Sequence, residues 1–267
     1  MIQIKTPDEI VLMREAGLVV ARTLATLREA VAPGVTTAEL DALAEETIRD
    51  AGAVPSFLGY RGFPASICAS VNEEIVHGIP KPSKRLRAGD IISIDCGAIV
   101  DGWHGDSAIT VPVGEVEPEL DRLMTVCEES MWAVLRDARA GMRIRDLGAI
   151  VEGVVGPSGF GIVDHYGGHG IGTEMHQDPH VLNHSRGPRG PKIVPGMALA
   201  IEPMITLGSP KTVELADQWT VVTHDGSYAA HFEHTFVLTE DGPWVLTALD
   251  GGRSRLGTQV TSRQPVG

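Results

Sequence analysis

The chain is poor in cysteine, poor in positive charge and without long apolar runs. Its 267 residues include three cysteines, which are far apart and form no Cys-x-x-Cys pair, so we expect free thiols in a reducing cytoplasm. Its 22 basic residues are outnumbered by 35 acidic ones, for a net charge of −13, which argues against specific nucleic-acid binding. The first residues hold no apolar signal core and no apolar run is long enough to cross a bilayer, so no membrane association is expected.

The stretch SIDCGAIVDGWHGDSAIT, residues 93–110, places two aspartates among apolar and small residues. Asp101-Gly102 favours a two-residue type I′ hairpin turn. That turn puts Asp95 and Asp106 on one face as diagonal neighbours, roughly 7–8 Å apart at the backbone. Two unpaired carboxylates in a half-buried site would repel each other, so a cation is expected between them. From the hairpin alone, a solvent-facing hairpin whose acids aid solubility is an equal alternative.

Two pairs of helices suggest that the chain has two similar halves. The predicted helices are residues 7–30, 37–51, 119–138 and 144–155. Gly, Leu and Ala recur at the same offsets in GVTTAELDAL, from Gly34, and in GMRIRDLGAI, from Gly141. This weak match indicates an internal repeat, although two unrelated amphipathic helices can also produce it.

Strand-like stretches follow the first helix pair at about residues 66–72 and 91–99, and the part of the chain from about Gly161 to Leu249 is rich in strands and glycine turns. We predict one α+β domain over residues 1–250, with helices covering one face of a curved, mostly antiparallel sheet. Residues 251–267 are polar and without periodicity, so a disordered tail is predicted there.

Three further segments carry polar residues where a core is expected. GGHGIG holds His169 in a glycine frame, where glycine allows sharp bends and close approach to a bound group. A phosphate-cradling loop is the rival interpretation, but the spacing matches no complete phosphate fingerprint. MALAIEPMIT places Glu202 in an apolar strand, and AAHFEHTFVLT contains Glu233 with His231 on the same face. A polar strand edge is the alternative for the last segment. We expect His231 to support the residues of the site rather than to act as a metal ligand itself.

Four carboxylates and one histidine therefore each lie in a predicted strand or a tight glycine loop, where apolar or small residues are expected. Oxygen-rich ligation with one imidazole suits Mn²⁺, Fe²⁺, Co²⁺ or Zn²⁺ better than a thiolate-binding metal. Four negative charges exceed what one divalent ion needs, and they match two ions about 3.5–4 Å apart. The candidate ligands are Asp95, Asp106, His169, Glu202 and Glu233.

In order and spacing, SIDCGAIVDGWHGDSAIT, GGHGIG, AIEPM and FEHT resemble the type I methionine aminopeptidases of the bacterial, extension-free kind. FLGYRGFPASICASVNEEIVHGIP and the MHQDP segment resemble them too, so the resemblance runs from about Thr6 to Leu249. It implies the pita-bread fold, whose two halves are related by pseudo-twofold symmetry. It also implies a metal-dependent exopeptidase that removes an N-terminal methionine when the second residue is small.

The resemblance implies roles for the five candidate ligands and for two histidines. The residue matching Asp95 binds one ion, those matching His169 and Glu202 bind the other, and Asp106 and Glu233 match residues that bridge both. The two divalent ions would be Co, Mn, Fe or Zn. The catalytic residues would be His77, His176 and Glu202, with Glu202 carrying the proton of the attacking water and the two histidines beside the scissile bond.

The resemblance also implies a methionine pocket, in which His77 and His176 take part as substrate contacts. Its other members would be Tyr60, Phe63, Cys68 and Trp219, with Phe57 and Met175 lining or adjoining it. Phe63 stands where a tyrosine is common, so a hydroxyl contact would be lost. Cys68 could equally be a core residue. The other histidines are interpreted as surface or structural: His104, His165, His180, His184, His224 and His234.

Three other readings compete with this one. Prolidase and aminopeptidase P usually carry a large extra N-terminal domain, for which this chain has no room. A creatinase-like hydrolase has the fold without the metals, and a binding protein on the same scaffold would not need the catalytic histidines. Expected partners are the N-terminal methionine of peptides and nascent chains, with transient ribosome association. We expect a cytoplasmic monomer.

Overall fold

The computed structural model describes residues 2–257 and confirms the α+β class. Its helices are α1 (Pro7–Ala30), α2 (Thr37–Asp50), α3 (Pro118–Asp137), α4 (Ile144–Val155) and α5 (Arg253–Leu256), with 3₁₀ turns at Tyr60–Gly62 and Gly156–Ser158. Both helices of the first pair begin at the same kind of cap. The Thr6 hydroxyl accepts the Glu9 N–H, and the Glu9 carboxylate accepts the Thr6 N–H; Thr36 and Glu39 repeat this box at α2. None of the described helices is long and apolar enough to cross a membrane.

The described strands form one nine-stranded sheet and two three-stranded sheets, and their pairings are antiparallel. The strands are β1 (Val54–Pro55), β2 (Ile67–Val71), β3 (Glu74–Val76), β4 (Ile91–Val100), β5 (Trp103–Pro112), β6 (Gly161–Ile162), β7 (Gly167–Gly170), β8 (Gln177–Leu182), β9 (Ala198–Ile201), β10 (Met204–Thr206), β11 (Thr212–Glu214), β12 (Val221–Thr223), β13 (Ala229–His231), β14 (Glu233–Thr239) and β15 (Gly242–Val245). The large sheet runs β1-β4-β5-β14-β9-β7-β8, with β2 also on β4 and β15 also on β14. The small sheets run β13-β10-β6 and β11-β12-β3.

The predicted hairpin register is confirmed. Asp101 and Gly102 have φ values of 47° and 82°, as a type I′ turn requires at both central residues. Counting outward from the turn, Asp106 pairs with Gly97, and Asp95 with Ala108. Both aspartates therefore lie on one face of β4 and β5.

Each helix pair packs on its own part of the sheet, which explains the two-half pattern of the sequence. In the first half, Leu27 of α1 and Leu40 of α2 share a buried cluster with Ile94 of β4. In the second half, Leu135 of α3 belongs to a cluster with Phe236 of β14. Burying one such side chain contributes about 1.5–3 kcal/mol, so each half has its own apolar support.

The prediction of a disordered tail from residue 251 is wrong for its first residues. The Asp250 carboxylate accepts the N–H groups of Gly252 and Ser254, each at 2.8 Å, at the start of α5. The Arg255 guanidinium then lies 5.1 Å from the centre of the Trp132 ring. These contacts order residues that are polar and aperiodic in sequence. Residues 258–267, the rest of the predicted tail, lie outside the described residues.

Candidate active site

One row of paired residues crosses four strands of the large sheet and places three candidate site residues side by side. Cys68 of β2 pairs with Asp95 of β4, which pairs with Ala108 of β5, which pairs with Glu233 of β14. Directly paired residues share a face of a sheet. Asp106, two residues from Ala108, lies on the same face. Residues far apart in sequence are thus brought together by strand register alone.

Glu202 lies in a break between strands, which corrects the expectation that it is part of one. β9 ends at Ile201 and β10 begins at Met204, because Pro203 has no N–H to continue the ladder. The Asn183 side-chain amide donates to the Glu202 carbonyl at 2.9 Å and holds the break. The β9–β14 register, continued past its end, puts Glu202 opposite Glu233.

His169 lies on β7, in the middle of GGHG, and its glycines serve close packing rather than a bound group. A Cβ on Gly168 would lie 2.0 Å from the Ala200 carbonyl oxygen, and one on Gly170 would lie 2.1 Å from that of Asp178. This segment is a strand between β8 and β9, so the phosphate-loop interpretation fails. His169 Nδ1 donates to the Gly170 carbonyl at 3.0 Å, which leaves Nε2 unprotonated and available to a metal.

The carboxylate cluster, defined as Asp95, Asp106, Glu202 and Glu233, has a histidine on each of two sides. His169 Nε2 lies 3.6 Å from Glu202 Oε1 and 3.8 Å from Asp106 Oδ2. His231 Nε2 lies 3.6 Å from Glu202 Oε2. Two groups of potential ligand atoms, each within 4.8 Å of one another, share Glu233: one also contains Asp106 and His169, the other Glu202 and His231.

Several buried polar atoms in this region have no hydrogen-bond partner among residues 2–257. They include Asp95 Oδ1, Asp106 Oδ1, Glu233 Oε1 and His231 Nε2. Leaving such atoms buried and unpaired costs free energy. Acceptor atoms that converge without donors fit a cation.

Burial changes the protonation of the cluster when no cation is bound. It raises the pKa of Asp95 to about 7 and that of Glu202 to about 7. Burial first, and then the neighbouring Asp95, raises the pKa of Asp106 well above its usual range; burial and then Asp106 do the same for Glu233. Burial lowers the pKa of His169, which keeps its imidazole neutral. A divalent cation would compete with protons for these carboxylates.

Two further histidines flank the cluster. The Tyr60 hydroxyl and His176 Nδ1 are 2.8 Å apart, and the rings of His176 and His169 are 4.3 Å apart at their centres. His77 has a left-handed φ of 59° and packs edge-on against Trp219. Burial lowers the pKa of His77 to about 4, so it is neutral. Such a backbone conformation is uncommon for a non-glycine residue and occurs often at functional sites.

All the sequence-predicted site residues line one cavity of about 320 Å³. One end is the carboxylate cluster. The other is the side-chain pocket, which we define as Phe57, Phe63, Ala65, Cys68 and Met175, with Tyr60 and Trp219 packed against it. Phe63 meets Trp219 edge to face at 5.1 Å. Burial, and then Asp95, raise the pKa of Cys68, so it presents a neutral thiol.

Several residues at the mouth of this cavity were not predicted from the sequence. Arg61 lines the cavity, and Tyr166 and Glu174 line an adjoining groove of about 650 Å³ that shares His77, His169, His176 and Glu202 with it. His165 and His180, interpreted as surface or structural, also line this groove. Apart from His180, which lies inside β8, these residues are outside the longer strands and helices, where no periodicity marks them.

Structural roles are found for three of the remaining histidines, as expected. His104 Nδ1 is 3.1 Å from the Ser56 hydroxyl, and His184 Nε2 is 3.1 Å from the Asp164 carbonyl. His234 Nδ1 is 2.8 Å from the Thr247 hydroxyl, on the side of β14 away from Glu233. His224 is exposed.

Comparison with known proteins agrees with this geometry. Residues 11–240 match metallopeptidase family M24. The chain is 50% identical over 247 residues to a methionine aminopeptidase of Clostridium acetobutylicum, covering 92% of this chain and 99% of that one. It is 49% identical over 249 residues to methionine aminopeptidase 1 of Mycobacterium tuberculosis, covering 91% and 94%.

Solved structures show the same fold. A methionine aminopeptidase from Thermotoga maritima superposes with a TM-score of 0.91 at 40% identity, over 93% of this chain and 100% of that one. The prolidase from Pyrococcus furiosus superposes with a TM-score of 0.72 at 22% identity, and the match covers 65% of its length; this likeness concerns the fold alone.

The chain therefore belongs to metallopeptidase family M24, a class of metal-dependent hydrolases. Within that family it groups with the bacterial methionine aminopeptidases of the short type I form. The predicted pita-bread fold, with its curved antiparallel sheet and covering helices, is confirmed.

Proposed function

We propose that the chain removes the N-terminal methionine from peptides and nascent proteins whose second residue is small, by hydrolysing the first peptide bond. One observation carries this proposal. A cluster of four carboxylates with a histidine lies in the same cavity as an apolar, sulfur-containing pocket. The cluster suits hydrolysis at a metal centre, and the pocket suits a long unbranched thioether.

The proposed metal ligands are Asp95, Asp106, His169, Glu202 and Glu233, and they fit two divalent cations. Three of the four carboxylates carry a buried oxygen with no hydrogen-bond partner in the described part of the chain, and four negative charges match two divalent ions. Mn²⁺, Fe²⁺, Co²⁺ and Zn²⁺ all accept oxygen ligands with imidazole. When bound, the ions would lower the pKa of a water molecule and polarise the scissile carbonyl.

We assign proton transfer to Glu202. It lines both the cavity and the outer groove, so its carboxylate lies where water and the leaving amine would meet. Asn183 holds its backbone at the strand break. Glu202 can therefore take a proton from the water and pass it to the amine without moving its main chain.

His176 and His77 are assigned to the scissile bond. If the Tyr60 hydroxyl donates to His176 Nδ1, His176 keeps its proton on Nε2 and can donate to the developing oxyanion. His77 is half-buried between Trp219 and Tyr166 and is proposed to bond the scissile amide nitrogen or to help protonate it. Because both rings face a shared cavity and groove, the peptide would pass between them.

The side-chain pocket is proposed to select methionine. Thioethers pack well against aromatic rings and sulfur, which Phe63, Cys68 and Met175 supply. Burial of the methionine side chain is worth roughly 1.5–3 kcal/mol. A branched leucine would press on the narrow walls, and a second residue larger than valine would meet His77 and the metal ligands.

Release of the first residue from matched tripeptides tests this function. Met-Ala-Ser should be cleaved, and Ala-Ala-Ser should be slower by about one to two decades in kcat/KM. Leu-Ala-Ser should be slower as well, Met-Lys-Ser and Met-Phe-Ser nearly inert, and N-acetyl-Met-Ala-Ser untouched. Equal rates for Met-Ala-Ser and Leu-Ala-Ser would indicate a broad aminopeptidase. Cleavage of the acetylated peptide would rule out an exopeptidase.

The cellular setting is also a proposal. We propose that the chain works in the cytoplasm as a monomer, with transient contact to the ribosome. Its three free cysteines, all buried, are compatible with a reducing compartment. The size of the outer groove, about 650 Å³, leaves room for residues that follow the scissile bond. Sedimentation with and without ribosomes checks the monomer and the contact.

A further inference from the structure

His231 is a buried side chain that the proposed function does not use. Its residue is 1% exposed. It lies at the end of β13, where Thr110 Oγ1 accepts its N–H at 2.9 Å and donates to its carbonyl at 2.8 Å. Its main chain is thus held to β5 in the same register in which Glu233 pairs with Ala108. His231 is two residues before Glu233, at the end of the strand that precedes β14 and belongs to the three-stranded sheet β13-β10-β6.

The imidazole of His231 is aimed at the carboxylate cluster. Nε2 lies 3.6 Å from Glu202 Oε2, and it has no hydrogen-bond partner among the described residues. Glu202 Oε1 lies at the same distance, 3.6 Å, from His169 Nε2. The two oxygens of one carboxylate therefore face one imidazole each.

The distance between His231 Nε2 and Glu202 Oε2 fits two ligands of one metal ion better than it fits a hydrogen bond. A hydrogen bond between nitrogen and a carboxylate oxygen is about 2.7–3.2 Å long, so 3.6 Å is too long for one. Two ligand atoms about 2.1 Å from one ion at a tetrahedral angle are about 3.4 Å apart. The His231–Glu202 distance is close to that separation.

We propose that His231 is a sixth ligand of the metal centre and binds one of the two divalent ions through Nε2, together with Glu202 and Glu233. This inference rests on the proposed function, which needs the two ions but assigns only His169 as a nitrogen ligand. Each of the two groups of potential ligands, Asp106–His169–Glu233 and Glu202–His231–Glu233, contains one imidazole. Glu202 lies 3.6 Å from both imidazoles, so ligation by His231 is compatible with His169 and Glu202 sharing an ion, as the resemblance implies.

Simple packing does not account for His231. If the position only required a side chain of this volume, the ring nitrogens would have hydrogen-bond partners or an apolar residue would take the place of histidine, because a buried nitrogen without a partner costs free energy. Its surroundings include Asp95, which lies close enough to act on it electrostatically. An imidazole facing three carboxylates with an unpaired nitrogen is the arrangement that a cation completes.

Nuclear magnetic resonance of the full chain labelled with ¹⁵N-histidine tests the ligation directly. Zn²⁺ is added to the metal-free protein until two equivalents are bound. The Nε2 resonances of His169 and His231 should both shift, and that of the exposed His224 should not. Assignment uses His231→Gln and His169→Gln, and through-bond assignment from the β13 backbone serves if a variant does not fold. A shift of His169 alone would overturn this inference and leave the proposed function standing. A shift of neither would overturn the metal proposal as well.

Calorimetric titration of Mn²⁺ into the metal-free protein gives the second readout. His231→Gln keeps an N–H group of similar reach but lacks the imidazole. The substitution should weaken the binding affinity for one of the two ions by about tenfold or more. Losses of this size are seen when groups that support metal ligands are removed. His224→Gln, the same substitution at the surface, should match the wild type. Wild-type affinity for both ions in His231→Gln would exclude ligation by this residue.

Discussion

The carboxylate cluster and the side-chain pocket are neighbours in one cavity, since Asp95 pairs directly with Cys68 across β4 and β2. They are nevertheless built in opposite ways. In the pocket, Phe63, Cys68 and Met175 are buried and belong to one apolar cluster. In the cluster, buried oxygens of Asp95 and Glu233 have no hydrogen-bond partner among residues 2–257.

The difference shows which part needs a ligand. The pocket is a stable apolar surface whether or not a substrate side chain occupies it, because its residues pack against one another. The cluster needs protons or cations to be stable, because its four closely grouped carboxylates, two of them on buried residues and two on half-buried ones, repel each other. Changes to the cluster should therefore alter catalysis and the pH dependence of stability. Changes to the pocket should alter the choice of substrate.

Metal removal should have the largest effect, because it takes away the cations that are proposed to neutralise the carboxylates and to activate the attacking water. Dialysis against a chelator should abolish release of methionine from Met-Ala-Ser, and Mn²⁺, Fe²⁺ or Co²⁺ should restore it. Metal content is measured on the same samples by atomic emission. Full turnover in a sample shown to be free of metal would end the two-metal proposal.

Glu202→Gln should lower kcat by roughly 10²–10⁴-fold, the range for losing a general base, because the amide neither accepts the water's proton nor ligates strongly. KM should change far less, because the pocket is intact. Steady-state kinetics on Met-Ala-Ser measure both, with His224→Gln as the control. A kcat within tenfold of the wild type would remove Glu202 from proton transfer.

His176→Ala should cost about 10²–10³-fold in kcat, as the loss of one oxyanion donor does. Tyr60→Phe should cost less, because it removes only the hydroxyl that orients His176 Nδ1. The same peptide assay compares the two variants. If His176→Ala raised KM and left kcat unchanged, its place in the transition state would be wrong.

The stability of the metal-free protein should fall as the pH rises from about 6.5 to 8. Burial raises the folded-state pKa of Asp95 and Glu202 to about 7 and raises that of Asp106 and Glu233 well above its usual range, whereas in the unfolded chain these groups ionise near pH 4. The folded state therefore binds more protons in this window, and its stability is lost with rising pH.

The buried histidines do not mask this trend, because burial lowers their folded-state pKa values and their opposing effect ends near pH 6.5. Urea unfolding at several pH values measures the slope. Protein loaded with metal should lack it, since bound cations replace the protons. An equal slope with and without metal would show that the cluster is not the source.

Cys68→Ala should have the smallest effect. Removing one buried heavy atom from the pocket costs about 0.8 kcal/mol, so kcat/KM for Met-Ala-Ser should fall about fourfold with little change for Ala-Ala-Ser. The ratio of the two peptides is the measurement. A lower melting temperature with an unchanged ratio would assign Cys68 to core packing, the alternative that its sequence setting left open.

Much of the fold was predictable because its signals are local. The helix caps at Thr6 and Thr36, and the Asp101-Gly102 turn, depend on residues within a few positions of one another. The five proposed metal ligands were found because each carboxylate or imidazole interrupts an apolar or glycine-rich pattern. The helix α5 was not predicted because the residues after Asp250 show no hydrophobic periodicity, although the Asp250 carboxylate accepts N–H groups at the start of this helix.

By itself the sequence determined the register of the β4–β5 hairpin and the common face of Asp95 and Asp106, because a two-residue turn leaves one way to pair the strands. Only the tertiary structure decided that Glu202 lies in a strand break and that the glycines beside His169 make room for β8 and β9. It also decided that His231 faces the cluster while His234 faces away from Glu233. What surrounds an imidazole is set by strands distant in sequence, and no pattern within one strand contains that information.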